Sequence, residues 1–159
     1  MTRQEFIRQV ESNQRAFRRF LVALCCGDAD FADDIAQESL MRAYLSSDGM
    51  ESPDKFRSWL YRIGFNSFIN SRRSQRVTVG YDEAEACAIH TPDSADDCFR
   101  YQELYAALNR IPERERTSIL LFYMEGYSTR EISGIVDVSE DVVRQHLSRG
   151  RAHLRKILQ

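Results

Sequence analysis

The sequence lacks the features of several protein classes. No apolar run approaches the roughly 20 residues that a membrane-spanning helix needs, so we expect no membrane insertion. No apolar signal core follows residues 1–5, which predicts a cytoplasmic chain. Four cysteines in a reducing compartment favour free thiols over a disulfide framework. With only 3 prolines and 7 glycines, the chain has few of the breaks that an all-β fold requires.

The chain also lacks a large net charge, because 22 basic side chains nearly balance 24 acidic ones. The balance is uneven along the sequence: residues 1–77 and 104–159 each carry a net charge of +2, whereas residues 78–103 carry −6. Acidic, Ser and Thr residues without apolar periodicity are typical of a linker. We therefore expect a first module at 1–77, a flexible acidic linker at 78–97 and a second module at 98–159.

Two windows are basic and contain no acid. Residues 55–76 hold six basic side chains and residues 142–159 hold five. Because affinity for nucleic acid grows with the number of phosphates neutralised, both windows are candidate DNA-binding faces. The small net charge of each module predicts weak DNA binding by the free chain, so another component must help to hold the DNA. The alternative interpretation is a pair of solvated helix faces.

Apolar residues recur at helical spacing through both modules. In the first module the pattern predicts one helix, or two in sequence, ending near Gly27, and a next helix capped by Asp28 or Asp30. A further helix there carries an apolar face of Phe56, Trp59, Leu60 and Ile63. Residues 119–124 fit a buried strand or a helix, and their helical flanks favour a helix. The prediction is an all-α fold of two small helical domains.

The second module contains a helix-turn-helix pattern. Ser128 and Glu131 form a predicted capping box at the start of a short helix, and Ser139 is the predicted N-cap of the next helix. Arginine and glutamine on the outer face of that second helix suit DNA, because each offers two hydrogen bonds to a base edge in the major groove. The pattern therefore favours DNA binding, with a plain helical hairpin as the alternative.

Several segments resemble a known family. Residues 108–116, 121–132 and 143–154 resemble domain 4 of bacterial sigma factors of the extracytoplasmic-function (ECF) group of the sigma-70 family. Residues 28–44 resemble the family's domain 2 helix that binds the clamp helices of RNA polymerase, and residues 56–66 resemble its promoter-melting helix. The two blocks occur in the family's order and together cover nearly all of the chain outside the linker.

The resemblance implies a sigma factor that binds core RNA polymerase and directs promoter-specific transcription initiation by recognising −35 and −10 promoter elements. The residues implied in polymerase binding are Asp33, Asp34, Gln37 and Glu38. Those implied in −10 DNA binding are Lys55, Arg62, Asn66, Arg72, Arg73 and Arg76. Those implied in −35 DNA binding are Arg144, Gln145, Ser148, Arg149 and Arg151, of which Arg151 is better placed for a phosphate.

The aromatic residues of the melting helix leave their role open. An extruded promoter base needs a pocket with stacking and polar groups. Trp59 and Phe56 lie on the apolar face and are expected to pack in the core, whereas Tyr61, Phe65 and Arg62 stay candidates for the base.

The chain departs from the family at a few positions. Gly64 stands where alanine is common, and Asn70 where aspartate is common. Glu140 and Asp141 place two carboxylates at the start of the recognition helix, where they favour the helix dipole but repel a phosphate. These departures bear on the promoter sequence and not on the protein class.

Three other interpretations compete. A stand-alone helix-turn-helix regulator would bind duplex DNA without polymerase, but it needs neither a polymerase-binding face nor a melting helix. A protein-interaction module would use its basic faces for an acidic partner. Cys87, His90 and Cys98 hint at a metal or redox site, although their spacing matches no common zinc pattern. We expect no enzyme, metal, cofactor or small-molecule substrate, and the resemblance implies an anti-sigma factor as a further partner.

Overall fold

The computed structural model describes the backbone of residues 1–50, 52–79 and 95–159, and the side chains of residues 1–50, 52–74 and 101–159. Every regular element in these ranges is helical, which confirms the predicted all-α fold. Most of the predicted linker at 78–97 lies outside them, as do Cys87 and His90. Within the described ranges, no helix combines the length and apolar character needed to cross a membrane.

The first module is a three-helix bundle in which each helix contacts the other two. Its helices are α1 (Arg3–Leu24), α2 (Ala29–Leu45) and α3 (Phe56–Val79), with two 3-10 turns at Ser47–Gly49 and Pro53–Lys55. Thr2 and Glu5 form a capping box at the start of α1, and Asp28 caps α2 by accepting from the Phe31 amide at 3.1 Å. The residues before Gly27 therefore form a single helix, and Asp28 is the cap of the next.

The turn after α1 uses two consecutive left-handed residues. Cys26 has a φ of 56° and Gly27 a φ of 93°. A Cβ atom on Gly27 would lie 3.0 Å from the ring of Tyr105 in the second module. Glycine is required here both for its backbone angle and because the second module packs closely against this turn.

The second module begins with α4 (Ala95–Asn109) and continues with α5 (Glu113–Ile119), a π-helical turn (Leu120–Met124), α6 (Thr129–Val136) and α7 (Glu140–Leu158). Pro112 separates α4 from α5, as expected, because a proline disfavours the helical conformation of the residue before it. The apolar run at 119–124 is helical, in agreement with its flanks.

The helix-turn-helix is formed by α6, a short turn and α7. Ser128 accepts from the Glu131 amide while the Glu131 carboxylate accepts from the Ser128 amide, so the predicted capping box is confirmed. Asp137, with a φ of 57°, ends α6, and Ser139 caps α7 by accepting from the Val142 amide. Val143, Leu147 and Gly150 turn inward, which leaves the opposite face of α7 open to solvent.

The two modules share one hydrophobic core. Buried side chains from both belong to a single cluster, and α3 packs against α6. Tyr61 and Tyr127 meet edge to face with their ring centroids 5.6 Å apart. The shared core could not be predicted from the sequence, because each module by itself has the amphipathic pattern of a separate helical domain.

A buried arginine joins the modules. Arg116 is 3% exposed, and its guanidinium donates to the carbonyls of Leu108 at 2.8 Å, Ile111 at 3.4 Å and Leu24 at 2.8 Å. Leu24 is the last residue of α1, where helix carbonyls lack a partner within the helix. The cation of the second module therefore caps the negative end of a helix in the first.

Gly64 lies where α3 crosses α1. A Cβ atom at this position would be 2.6 Å and 2.7 Å from two atoms of the Phe17 ring, and Phe17 is buried. The departure from alanine therefore has a packing reason: the aromatic ring of Phe17 occupies the space of the missing methyl group.

We expect Gly64→Ala to destabilise the fold by about 1–3 kcal/mol, because a methyl group forced against a buried ring is overpacked. The measurement is the free energy of unfolding in urea. Gly134→Ala is the matched control: nothing lies within 4 Å of its Cβ position, so helix propensity alone acts and stability stays the same or rises slightly. Equal stability of the two variants would contradict this packing argument.

Candidate nucleic-acid interface

The outer face of α7 presents the predicted −35 residues together. Arg144, Gln145, Ser148 and Arg149 are all exposed, and we call these four residues the recognition face. Arg151 is also exposed, but its guanidinium donates to the Tyr123 hydroxyl at 3.1 Å. The recognition face is therefore the surface of α7 that can enter a groove, while Arg151 lies to its side.

The guanidinium of Arg144 is held by its own helix turn. It donates to the Asp141 carboxylate at 2.8 Å and to the Glu140 carboxylate at 3.0 Å. The two carboxylates that depart from the family pattern thus bind the arginine predicted to read a base. Exposed ion pairs of this kind are weak, so the guanidinium can exchange them for another acceptor.

A basic cleft continues the recognition face toward α5. We use this name for Arg110, Arg114, His146 and Arg149, which line one cavity of about 580 Å³. Arg110 and Arg114 are exposed and flank Pro112, at the start of the helix that packs against α7. Neither arginine was among the residues predicted from the sequence to bind DNA. Their position on either side of the α4–α5 break, beside a helix that contacts α7, is visible only in the fold.

The charges of this cleft affect the pKa of His146. Burial lowers its pKa, and the positive charges of Arg114 and Arg149 lower it further while Glu115 opposes them. The imidazole is therefore expected to be neutral near pH 7. The same positive field attracts phosphate.

The predicted −10 residues lie mostly on one face of α3. Arg62, Asn66 and Arg73 are exposed and follow helical spacing, and Lys55 is exposed at the end of the preceding 3-10 turn. The side chain of Arg76 lies outside the described residues. A continuous polar and cationic face is thus available along α3.

A surface pocket of about 330 Å³ opens beside Asn66. Its lining includes Trp59, Ile63, Asn66 and, from α2, Arg42. Trp59 packs against the core, as expected, and also lines this pocket. An aromatic ring, an amide and a cation around one pocket are the groups that an unstacked base requires.

Tyr61 and Phe65 are buried and do not reach this pocket. Tyr61 contacts the rings of Phe17, Phe20 and Tyr127. Burial and the neighbouring Glu125 carboxylate raise the pKa of Tyr61 far above its usual value. Of the open candidates for the extruded base, only Arg62 is exposed.

Arg72 is the predicted −10 residue with the least exposure. It is buried, and its Nε donates to the Glu113 carboxylate of the second module at 2.9 Å. In this state of the chain, Arg72 therefore connects the two modules and does not face solvent.

The predicted polymerase-binding residues share the acidic side of α2. Asp34 and Gln37 are exposed, Asp33 pairs with Arg18 at 2.9 Å, and Glu38 pairs with Arg42 at 2.7 Å. All four remain accessible for an incoming partner, because both ion pairs are formed at the surface.

Exposed apolar side chains extend this acidic side. Met41 and Leu45 follow Asp34 and Glu38 by seven residues each, which places them on the same face of α2, and they are 66% and 74% exposed. Neither residue was predicted from the sequence to belong to this surface, although two apolar residues in line with an acidic face were the available signal. Large apolar groups left in solvent beside charges mark protein interfaces.

An apolar groove lies between the modules on another side of the molecule. This groove, of about 840 Å³, is lined by α1, α4, the π-helical turn and α7. Tyr101, Leu104, Tyr123 and Met124 are exposed apolar residues in it, and Arg18, Arg19 and Arg151 supply positive charge. Its shape and charge suit an amphipathic helix with acidic residues.

In the described part of the chain, no group of three or more His, Cys, Asp or Glu residues is arranged to hold a metal ion. Cys25 and Cys26 are buried and are not joined in a disulfide.

Both modules match family models of known proteins. The family model for sigma-70 region 2 matches residues 9–78, and the model for sigma-70 region 4 matches residues 101–154. The ECF RNA polymerase sigma factor EcfG of Rhodopseudomonas palustris is 27% identical over 90% of this chain and 79% of its own length. The ECF RNA polymerase sigma factor SigW of Bacillus subtilis is 30% identical over 83% of this chain and 78% of its own.

Among solved structures, the sigma factor RpoE from Bartonella quintana, crystallised in complex with the anti-sigma factor NepR, is 26% identical. It superposes with a TM-score of 0.82, over 98% of this chain and 97% of that one. Both modules, their order and their packing are thus shared with sigma factors. The chain belongs to the sigma-70 family of RNA polymerase sigma factors, within its ECF group.

Proposed function

We propose that this protein is a transcription initiation factor that binds core RNA polymerase and directs it to promoters with its own −35 and −10 elements. The observation that carries the proposal is the presence, in one chain, of the recognition face on α7 and the acidic and apolar face of α2. A stand-alone regulator needs only the first. The protein contributes recognition and strand separation and no catalytic step, and we place it in the cytoplasm with its polymerase.

The recognition face would read the −35 element. Arg144 and Gln145 lie in the first turns of α7, where a recognition helix contacts base edges. Arg149 and the exposed Arg110 and Arg114 of the basic cleft would bind the flanking phosphates, which positions α7 without specifying sequence. Arg149 belongs to both the recognition face and the basic cleft.

The exposed face of α3 would hold the melted −10 element. Arg62, Arg73 and Lys55 provide cations for one strand, and the pocket beside Asn66 would receive an extruded base. The ring of Trp59 offers stacking, and the Asn66 amide offers donors and an acceptor for the base edge.

The acidic face of α2 would dock on the polymerase clamp. Asp34 and Glu38 supply charge that complements a basic surface, and Met41 and Leu45 supply apolar area. Charged groups at the rim mainly speed association and select the partner, while the buried apolar contacts hold the complex.

An anti-sigma factor would occupy the apolar groove. A helix with leucine-like residues on one side and acidic residues on the other matches the exposed apolar residues of the groove and the charges of Arg18, Arg19 and Arg151. Such a partner would contact both modules at once, since the groove is built from both.

The experiment that tests the proposal is run-off transcription with purified bacterial core polymerase on a pool of genomic fragments, with and without this protein. We expect discrete transcripts that depend on the protein and whose start sites define both promoter elements. Binding to duplex DNA without binding to polymerase would favour the stand-alone regulator instead.

Charge reversal of α2 tests the polymerase face. We expect Asp34→Lys/Glu38→Lys to weaken polymerase binding at least tenfold, because it removes two attractive charges and adds two repulsive ones. Binding of a −35 duplex should not change. Glu11→Lys/Asp48→Lys is the matched control, since both are exposed acids of the first module outside α2. Equal polymerase affinity of the two variants, measured by fluorescence anisotropy, would disprove this interface.

Arg144→Ala tests direct reading of a base. We expect a loss of about 1–3 kcal/mol confined to one promoter position, because a two-pronged contact to a base is lost. Arg114→Ala is the comparison: as a phosphate contact, it should weaken all sequences equally and reduce the salt dependence by about one unit. Binding titrations against a set of single-base duplex variants distinguish the two. Uniform weakening by Arg144→Ala would make it a phosphate contact.

A further inference from the structure

The start of α7 carries charge of the sign that DNA repels. Residues 142–159 hold five basic side chains and no acid, whereas Glu140 and Asp141 place two carboxylates in the first turn of the helix. Capping does not explain them, because the Ser139 hydroxyl already accepts from the Val142 amide at 3.3 Å. A recognition helix contacts base edges with its N-terminal residues, so both carboxylates would enter the major groove.

Both carboxylates hold the same guanidinium. Nη1 of Arg144 donates to Oδ1 of Asp141 at 2.8 Å, and Nη2 donates to Oε2 of Glu140 at 3.0 Å. Each terminal nitrogen of a guanidinium carries two N–H groups, so one N–H on each nitrogen remains for a further acceptor. Arg144 can therefore keep both carboxylates and still bind O6 and N7 of a guanine. These ion pairs are weak in water and become stronger where a groove excludes water.

Asp141 is the more exposed of the two carboxylates, since its side chain is 87% exposed and that of Glu140 is 38% exposed. A carboxylate oxygen can accept two hydrogen bonds, so Oδ1 can bind Arg144 and a base amine together. In the major groove, the amines belong to cytosine and adenine. Adenine also presents N7, an acceptor that repels a carboxylate, whereas cytosine presents its N4 amine without an acceptor beside it. Asp141 therefore favours cytosine.

The spacing of the two side chains matches a single G·C base pair. Guanine O6 and cytosine N4 are hydrogen-bonded to each other, which places them about 2.9 Å apart. Nη1 of Arg144 and Oδ1 of Asp141 are 2.8 Å apart. With Nη1 against O6 and Oδ1 against the second N4–H, the four atoms form a closed ring of hydrogen bonds on the major-groove edge of one pair.

We propose that Arg144 and Asp141 together read one G·C pair of the −35 element, with Arg144 on guanine and Asp141 on the N4 amine of the paired cytosine. Glu140 is a positioning residue, because it holds the other guanidinium nitrogen and fixes the orientation of the arginine. An arginine oriented before binding loses less side-chain freedom in the complex. The proposal rests on the function proposed above, because it places α7 in the −35 element.

The test first finds the base pair and then removes one hydrogen bond. Holoenzyme, assembled from core polymerase and the full chain, transcribes a promoter library with a randomised −35 element, and Arg144→Ala reveals the position that this arginine reads. We expect G·C at that position. The cytosine there is then replaced by N4-methylcytosine, which still pairs with guanine but lacks the exposed N4–H. Fluorescence anisotropy gives the affinity of the holoenzyme for each promoter.

We expect the N4-methyl group to weaken binding by the wild-type holoenzyme about tenfold, because a charge-assisted hydrogen bond is lost. Asp141→Ala should bind the methylated and unmethylated promoters equally, and its preference for G·C should be about tenfold smaller. Asp141→Asn keeps an acceptor oxygen and should show an intermediate penalty. Glu140→Ala should keep the methyl penalty while its preference for guanine falls, because Glu140 contacts the arginine and not the cytosine.

Glu103→Ala is the matched control, since it removes one exposed carboxylate of the second module outside α7 and should match the wild type. Asp141→Asn keeps the test valid if Asp141→Ala loses binding to every sequence.

Three results would overturn the proposal. An equal methyl penalty in the wild type and in Asp141→Ala means that Asp141 does not bind the cytosine. An equal gain in affinity for all sequences in Asp141→Ala means that the carboxylate only repels phosphate. A base pair other than G·C at the position read by Arg144 excludes the paired contact. In each case the wild type still directs transcription, so the proposed function survives. Absence of transcripts with the wild type would instead disprove the proposed function, and this inference with it.

Discussion

The guanidinium of Arg116 is the constraint around which the two modules are arranged. A buried cation is costly unless its donors are satisfied, and here three carbonyls accept from it, two at the end of α4 and one at the end of α1. One of them belongs to the last residue of α1, so the second module completes a helix end of the first. The shared core, the approach of Tyr105 to Gly27 and the packing of α6 on α3 join the same two modules.

The cations of α3 fall into two groups. Its exposed cations, including Arg62 and Arg73, remain in water, whereas Arg57 and Arg72 are neutralised by carboxylates of the second module. The uncompensated positive charge of α3 is therefore smaller than the six basic side chains of residues 55–76 suggest.

Most of the site could be predicted because its residues are local. A recognition helix shows its cap, its inward stripe and its outward face within twenty residues, so Ser139 and Arg144 were each assigned the position that they occupy in the fold. The acidic side of α2 could be predicted for the same reason, because its residues lie within one helix. Three residues of these surfaces were missed: Arg110, Arg114 and Met41. The two arginines form a cleft only together with the helix packed beside them. Residue type alone does not show whether a methionine is exposed or buried.

The sequence by itself determined the helices, their caps, the helix-turn-helix and the two-module order, because hydrogen bonding and amphipathic spacing act within short stretches of chain. Tertiary structure alone decided how the modules meet. The aromatic ring of Tyr61 was a candidate for a promoter base until packing placed it against Tyr127, and Arg72 was a candidate for a phosphate until Glu113 approached within 2.9 Å. Contacts between residues 41 or more positions apart depend on the whole fold, and no local pattern records which of two competing partners a side chain will meet.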